Sequence, residues 1–199
     1  MARRPQQKPV AKAATPGQVR IISGLWRGRK LPVHDAQGLR PTTDRVKETL
    51  FNWLAMEIPA ARCLDVFAGS GGLGFESASR QAKHVTMLEM NPQAYQQLKK
   101  NVAALKAENI EVHNTDALQF LAKAGEPYDI VFIDPPFRQG LLDATIERLE
   151  QNGWLSNNAF IYIECEKELA MPTLPSHWEL HREKVAGQVC YRLFARNQE

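Results

Sequence analysis

Cysteine is scarce: the 199 residues hold three, Cys63, Cys165 and Cys190, far apart and each inside an apolar stretch. They offer no disulfide framework and read as small buried hydrophobes in a reducing, cytoplasmic compartment. The five histidines are scattered, no Cys/His cluster has ligand spacing, and no metal site is expected. No apolar run approaches the length of a membrane span, and the start of the chain has no apolar core of a signal peptide, so no membrane partner is expected. Internal repeats are also lacking. Acid is missing from one region: the first thirty residues hold Arg3, Arg4, Lys8, Lys12, Arg20, Arg27, Arg29 and Lys30 but no Asp or Glu. The rest carries 17 bases against 22 acids, so a basic arm precedes an acidic body. That asymmetry is a footprint of polyanion binding. Residues 1–17, without periodicity, are expected to stay disordered until something binds them.

What remains is ordinary globular material, 44% hydrophobic and 24% charged, of a length suited to one domain with an appendage. Its centre is Ile130-Val131-Phe132-Ile133-Asp134-Pro135-Pro136-Phe137. Four apolar residues predict a buried strand, and Pro135 ends it because proline cannot donate to a ladder. Asp134 is thereby fixed at the C-terminal edge of a strand, where open α/β sheets bind ligands. An acid, a stiffened carbonyl and the ring of Phe137 converge there, which suits a flat base with an exocyclic amine. Asp134 capping a following helix is the plainer alternative.

Upstream, residues 63–68 predict a strand running into Gly69, Gly71 and Gly74, which fit G-x-G-x-x-G and open a helix. Glycine permits the tight turn and lets backbone approach a ligand closely. Residues 85–89 read as a second strand ending in Glu89, 20 residues after Gly69, where a carboxylate can accept from both hydroxyls of a ribose. A third strand over 110–114 leads to Asp116, placed to cap the next helix, to accept from an adenine amino group, or to do both. Together these point to a nucleoside-containing cofactor.

Helices are predicted over 92–106 and 141–151, a strand over 159–165, and a closing antiparallel hairpin over 178–185 and 189–195. Nearer the start, residues 19–23 and 30–33 predict a hairpin whose loop carries Trp26, Arg27, Arg29 and Lys30. An aromatic among bases suits looped or single-stranded RNA, with stacking on one and phosphate contacts from the others; a purely structural hairpin fits equally. Residues 40–54 predict a helix capped by Thr43 or Asp44, with Thr43 and Lys47-Glu48 approximating a capping box. Val46, Leu50, Trp53 and Leu54 form its apolar face, and Arg40 and Arg45 at its start could meet a carboxylate.

Alternating strands and helices closed by a hairpin, with Gly69-Ser70-Gly71, Glu89, Asp116 and Asp134-Pro-Pro-Phe137, resemble a class I S-adenosylmethionine-dependent methyltransferase. Adding Arg40-Pro-Thr-Thr-Asp-Arg45 and Leu64-Asp-Val-Phe-Ala-Gly-Ser-Gly-Gly-Leu-Gly74 narrows the resemblance to the RsmD family of bacterial 16S rRNA guanine-N2 methyltransferases, over residues 19–195. The resemblance implies a Rossmann-like α/β fold with a seven-stranded, mostly parallel sheet and a C-terminal antiparallel hairpin. It implies a methyltransferase domain over 59–199, preceded by a hairpin-and-helix extension over 18–58 and the arm over 1–17. It implies S-adenosylmethionine held by Asp65, Phe67, Gly69, Ser70 and Gly71, by Glu89 at the ribose, by Asp116 and Ala117 at the adenine, and by Arg45. Asp134 and the Pro135 carbonyl would receive the target amine, Phe137 would stack on its base, and residues 40–45 would close over both ligands. The implied partner is 16S rRNA, in a small-subunit particle or free, with recognition by Trp26, Arg27, Arg29, Lys30 and Arg40, and a monomer as the default. Related adenine-modifying enzymes carry Tyr where Phe137 stands, which leans towards guanine; a DNA adenine-N6 or protein glutamine methyltransferase would use the same turn.

Overall fold

The computed structural model describes residues 17–34 and 42–197. Residues 1–16 of the basic arm over 1–17, and Arg40, lie outside the described residues. Two short strands, Gln18–Arg20 (β1) and Lys30–Pro32 (β2), pair antiparallel. After them come helix Asp44–Trp53 (α1), strand Arg62–Asp65 (β3), helix Gly72–Ser79 (α2), strand His84–Glu89 (β4) and helix Pro92–Leu105 (α3). Strand Ile110–Asn114 (β5), helix Ala117–Leu121 (α4), strand Tyr128–Ile133 (β6) and helix Leu142–Gln151 (α5) continue the alternation. Strands Leu155–Glu166 (β7), Trp178–Ala186 (β8) and Val189–Arg196 (β9) end it.

The main sheet has seven strands in the order β5-β4-β3-β6-β7-β9-β8. The first five run parallel, and β9 is antiparallel to both of its neighbours. The seven-stranded, mostly parallel sheet with a terminal hairpin expected from the sequence is therefore present. The chain first builds outward from β3 through β4 to β5, then returns to lay β6 on the other side of β3. At that reversal the loops leaving β3 and β6 diverge and open a crevice above their carboxyl ends.

Apolar residues on both faces of the sheet explain why it sits between two helical layers. One core joins Leu50 and Phe51 of α1, Phe75 of α2 and Leu98 of α3 to Val85, Phe132 and Leu193. Val19, Ile21 and Leu31 of the β1–β2 hairpin belong to this same core. The opposite core gathers Leu121, Ile146, Leu149 and Trp154 under Leu64, Val131 and Ile161.

Several local expectations are corrected. β1 stops at Arg20 rather than Ser23, because the Ile22 and Ser23 N–H groups donate to the Glu76 carboxylate instead of a partner strand. Thr43 is the N-cap of α1 and accepts from the Val46 N–H at 3.4 Å. Val46 thus occupies the position that a capping box gives to Glu or Gln, so no box forms. Lys47, beside Val46 on α1, is fully buried; its Nζ donates to the Arg20 carbonyl at 2.6 Å and lies 3.5 Å from Asp44. Strand β7 starts at Leu155 instead of 159, its polar Asn157-Asn158 hidden from pattern reading, with an irregular register between Tyr128 and Ile130.

Candidate active site

A cavity of about 550 Å³ fills the crevice. Its walls come from the carboxyl ends of β3, β4, β6 and β7 and from the starts of α1, α2 and α4. The glycine loop shapes one side. Gly69 and Gly71 adopt left-handed φ values of 51° and 78°, which only glycine occupies without strain. A Cβ on Gly71 would lie 2.5 Å from Phe75 and 2.7 Å from Leu98, so this glycine supports the loop from behind. Gly74 works differently: its Cβ would lie 2.4 Å from the Met87 sulfur. That close packing of α2 on β4 brings the Gly74 N–H to 3.2 Å from Asp65 Oδ2.

Acids dominate the other walls. Asp65, at the end of β3, is buried, and burial pushes its carboxyl up to about 7 against the opposing hydrogen bond from Gly74. Glu89 accepts from the Gly69 N–H at 2.9 Å and the Asn91 N–H at 2.7 Å, one on each oxygen. These bonds aim it at the glycine loop, while burial still raises its pKa. Asp116 caps α4 by accepting from the Gln119 N–H at 2.8 Å. Asp134 accepts from the Thr42 hydroxyl at 3.3 Å. Burial, then the neighbouring Glu164 and Asp65, hold its carboxyl well above the ordinary range. Glu164 of β7 is buried and accepts from the Tyr162 hydroxyl at 2.7 Å. Among the described residues the cavity is lined by these five carboxyl groups and by no Lys, Arg or His.

The structure brings together most of the residues singled out from sequence. Asp65, Phe67, Gly69, Ser70, Glu89, Asp116, Ala117, Asp134, Pro135 and Phe137 all line the cavity. Pro135 is buried, and the Phe137 ring stays partly exposed at the rim. Arg45 is exposed and outside the lining; from its segment, Thr42, Thr43 and Val46 form the wall. The loop carrying Trp26 lies elsewhere. The Leu25 N–H donates to the Ser79 carbonyl at 2.8 Å, and the Trp26 N–H to the Ser79 hydroxyl at 3.0 Å. Ser79 ends α2, roughly 10 Å of helix from the cavity. Trp26 packs against the core, leaving Arg27, Arg29 and Lys30 exposed.

Thr42 belongs to the 40–45 segment expected to close over the ligands, and it does form part of the wall. One wall group, Glu164, went unremarked in the sequence. It carries a signal: it is the lone charge in the apolar run from Ala159 to Cys165, where an unpaired acid would be costly.

The chain matches the family model described as "Conserved hypothetical protein 95" over residues 19–195. It is 61% identical over 183 residues to the Ribosomal RNA small subunit methyltransferase D of Escherichia coli K12, covering 92% of each chain. To the Haemophilus influenzae protein of the same name it is 54% identical over 192 residues, covering 94% of this chain and 97% of that one. The solved structure of Escherichia coli yhhF superposes with a TM-score of 0.86 at 58% identity, covering 92% of this chain and all of the other.

Proposed function

The chain belongs to the RsmD family, and from that premise we propose that it methylates small-subunit ribosomal RNA, transferring the methyl group of S-adenosylmethionine to the exocyclic N2 of a guanine. The observation that carries the reading is the acid-lined cavity at the strand reversal. A dinucleotide would bring its phosphates among five carboxyl groups and, among the described residues, no cation, so nicotinamide chemistry fits poorly. A nucleoside bearing a sulfonium and an ammonium, with one carboxylate of its own, is the complementary ligand. Family members named for ribosomal RNA methylation support the acceptor.

The donor set fits that cofactor. Glu89, held by two backbone N–H groups, keeps lone pairs for two ribose hydroxyls. Asp116 and Ala117 line the cavity where they could receive the adenine, and Asp65 with the Phe67–Ser70 loop lines it where the methionine part would lie. When bound, S-adenosylmethionine supplies a methyl group already activated towards nucleophiles.

This chain's task is to prepare the nucleophile. The exocyclic amine of a purine is weakly nucleophilic because its lone pair is delocalised into the ring. Asp134 and the Pro135 carbonyl can accept its two N–H bonds, favouring a pyramidal nitrogen whose lone pair points at the methyl. Such alignment lowers the barrier by fixing the reacting groups in advance. Ionised Asp134 also stabilises the positive charge growing on nitrogen in the transition state, and the departing proton passes to Asp134 or to water. Phe137 offers a ring face for the base, and a guanine in a loop costs less to turn out than a paired one.

The test is methyl transfer from radiolabelled S-adenosylmethionine to unmodified small subunits and, in parallel, to protein-free 16S rRNA, followed by nucleoside analysis. N2-methylguanosine is expected. Label in methyladenosine or in protein would instead assign the same amine-binding turn to another acceptor.

A further inference from the structure

Glu164 stands beside the amine-binding turn for a structural reason. Strands β6 and β7 pair in parallel with Phe132 opposite Tyr162 and Ile133 opposite Ile163. One step further along that register sit Asp134 and Glu164, at the carboxyl ends of adjacent strands and on the wall of one cavity. Two like charges are thereby placed side by side where water is scarce, an arrangement that disfavours ionisation of both. The Tyr162 hydroxyl, itself buried, fixes the Glu164 side chain at 2.7 Å. A carboxylate has four lone-pair sites, so Glu164 has capacity for a ligand N–H besides the protein's own contacts.

A ligand edge rich in N–H donors compensates such a pair, and an edge carrying a bare ring-nitrogen lone pair does not. The purine bases differ in this respect. Guanine presents N1–H directly beside its N2 amine, a contiguous row of donors. Adenine presents its amine beside N1, which is an acceptor. Resting on the functional reading above, we propose that Glu164 determines base specificity by accepting the guanine N1–H while Asp134 and the Pro135 carbonyl hold the N2 amine. An acceptor with a lone pair at that position would meet a buried carboxylate and be rejected by repulsion as well as by a lost bond. Sites built to hydrogen-bond a donor discriminate strongly against analogues lacking it, because the site's own polar groups are left unpaired. Glu164 thus supplies a selectivity that Asp134 alone, indifferent to the ring behind the amine, does not.

The test uses the intact enzyme and two RNAs that differ at one base, the acceptor guanine, mapped beforehand by sequencing labelled oligonucleotide fragments of the methylated rRNA. In the second RNA this base is 2,6-diaminopurine, which keeps the N2 amine but has a bare lone pair at N1. The wild-type enzyme should prefer guanine by about 100-fold or more in kcat/KM. In Glu164→Gln, whose amide presents both an acceptor and a donor, the preference should collapse to within about tenfold. A merely structural role lowers both rates together and leaves the ratio alone. A retained thermal shift with S-adenosylmethionine identifies a folded variant; should Glu164→Gln not fold, Glu164→Met, which also removes the carboxylate at similar length, carries the same comparison. Equal use of the two RNAs by the wild type, or a ratio unchanged in the variant, overturns the assignment to Glu164. Failure of the wild type to methylate the guanine RNA overturns the functional reading itself.

Discussion

The two ends of helix α2 treat buried polar groups in opposite ways. At its C-terminal end every partner is a protein group. Glu76, fully buried, accepts from the Ile22 N–H at 2.8 Å, the Ser23 N–H at 3.0 Å and Arg80 Nε at 2.8 Å. Ser79 satisfies the Leu25 and Trp26 N–H groups and donates its own hydroxyl to the Ser23 carbonyl at 2.6 Å. Gly24 allows this approach, since a Cβ there would lie 1.9 Å from the Ser79 carbonyl oxygen. At the N-terminal end the acids face a cavity, and burial raises the pKa values of Asp65, Glu89 and Asp134. A saturated carboxylate fastens the fold, whereas acids clustered around a cavity hold electrostatic free energy that a cationic, donor-rich ligand can release.

The largest expected effect breaks the open end alone. Asp134→Ala should lower methyl transfer by at least about 10³-fold, in the range seen when preorganised electrostatic partners are removed. Its fold and its cofactor-induced thermal shift should survive, because among the described residues the side chain accepts one long hydrogen bond, from Thr42. A variant that kept its rate would sink the role given to Asp134. The matching change at the closed end is Glu76→Ala, which strands two backbone N–H groups and the Arg80 guanidinium. Unfolding free energy should fall by about 3–5 kcal/mol, the usual cost of removing one partner from a buried charged network. Urea denaturation would show it, while the fraction still folded should turn over at the normal rate.

The acid-lined end also predicts a pH dependence. Asp65 binds its proton more tightly in the folded chain, at about 7, than its ordinary value of 3.8 implies. Its contribution to stability is therefore present below about pH 4 and is lost as pH rises through 7. A cationic ligand favours the ionised form, so binding expels a proton and affinity climbs with pH until Asp65 is ionised. S-adenosylmethionine affinity measured by calorimetry should rise roughly tenfold per pH unit at most below 7 and level off above it. Asp65→Asn should flatten the profile; an unchanged slope would assign the titration to another acid.

Legibility in the sequence followed the same division. Asp134 and Glu89 could be placed because strand, edge and turn are written in nearby residues: a mostly apolar run, then an acid, then Pro135 at once or Asn91-Pro92 one residue later. The glycine loop was readable for the same reason, although Gly71 serves the packing of Phe75 and Leu98 instead of the cavity wall. What escaped depends on contacts distant in the chain. Glu76 looks like one more helix charge until the segment after β1 brings in the Ile22 N–H, 54 residues away in sequence, to use it. Lys47 reads as a solvated helix cation, and only the Arg20 carbonyl at its tip explains its burial. Glu164 gains its place from the register of β6 against β7, which no local pattern encodes.

The smallest expected effect asks whether the closed end touches RNA at all. Arg27, Arg29 and Lys30 are exposed around a loop pinned to Ser79, with the Arg29 guanidinium 3.5 Å from the Ala104 carbonyl. Cations on a docked loop lose little entropy in meeting phosphates, yet they lie far from the base being modified. They should therefore contribute to affinity and leave the chemical step unchanged. For Arg27→Ala/Arg29→Ala, filter binding to 16S rRNA should show a few-fold weaker affinity. Its salt slope should be shallower by up to about 1.8, since each phosphate contact contributes about 0.7 to 0.9. Stability and the rate at saturating RNA should stay at wild-type values, because neither side chain supports the core. An unchanged slope would make the closed end of α2 purely structural and move RNA recognition to the cavity rim or to residues 1–16.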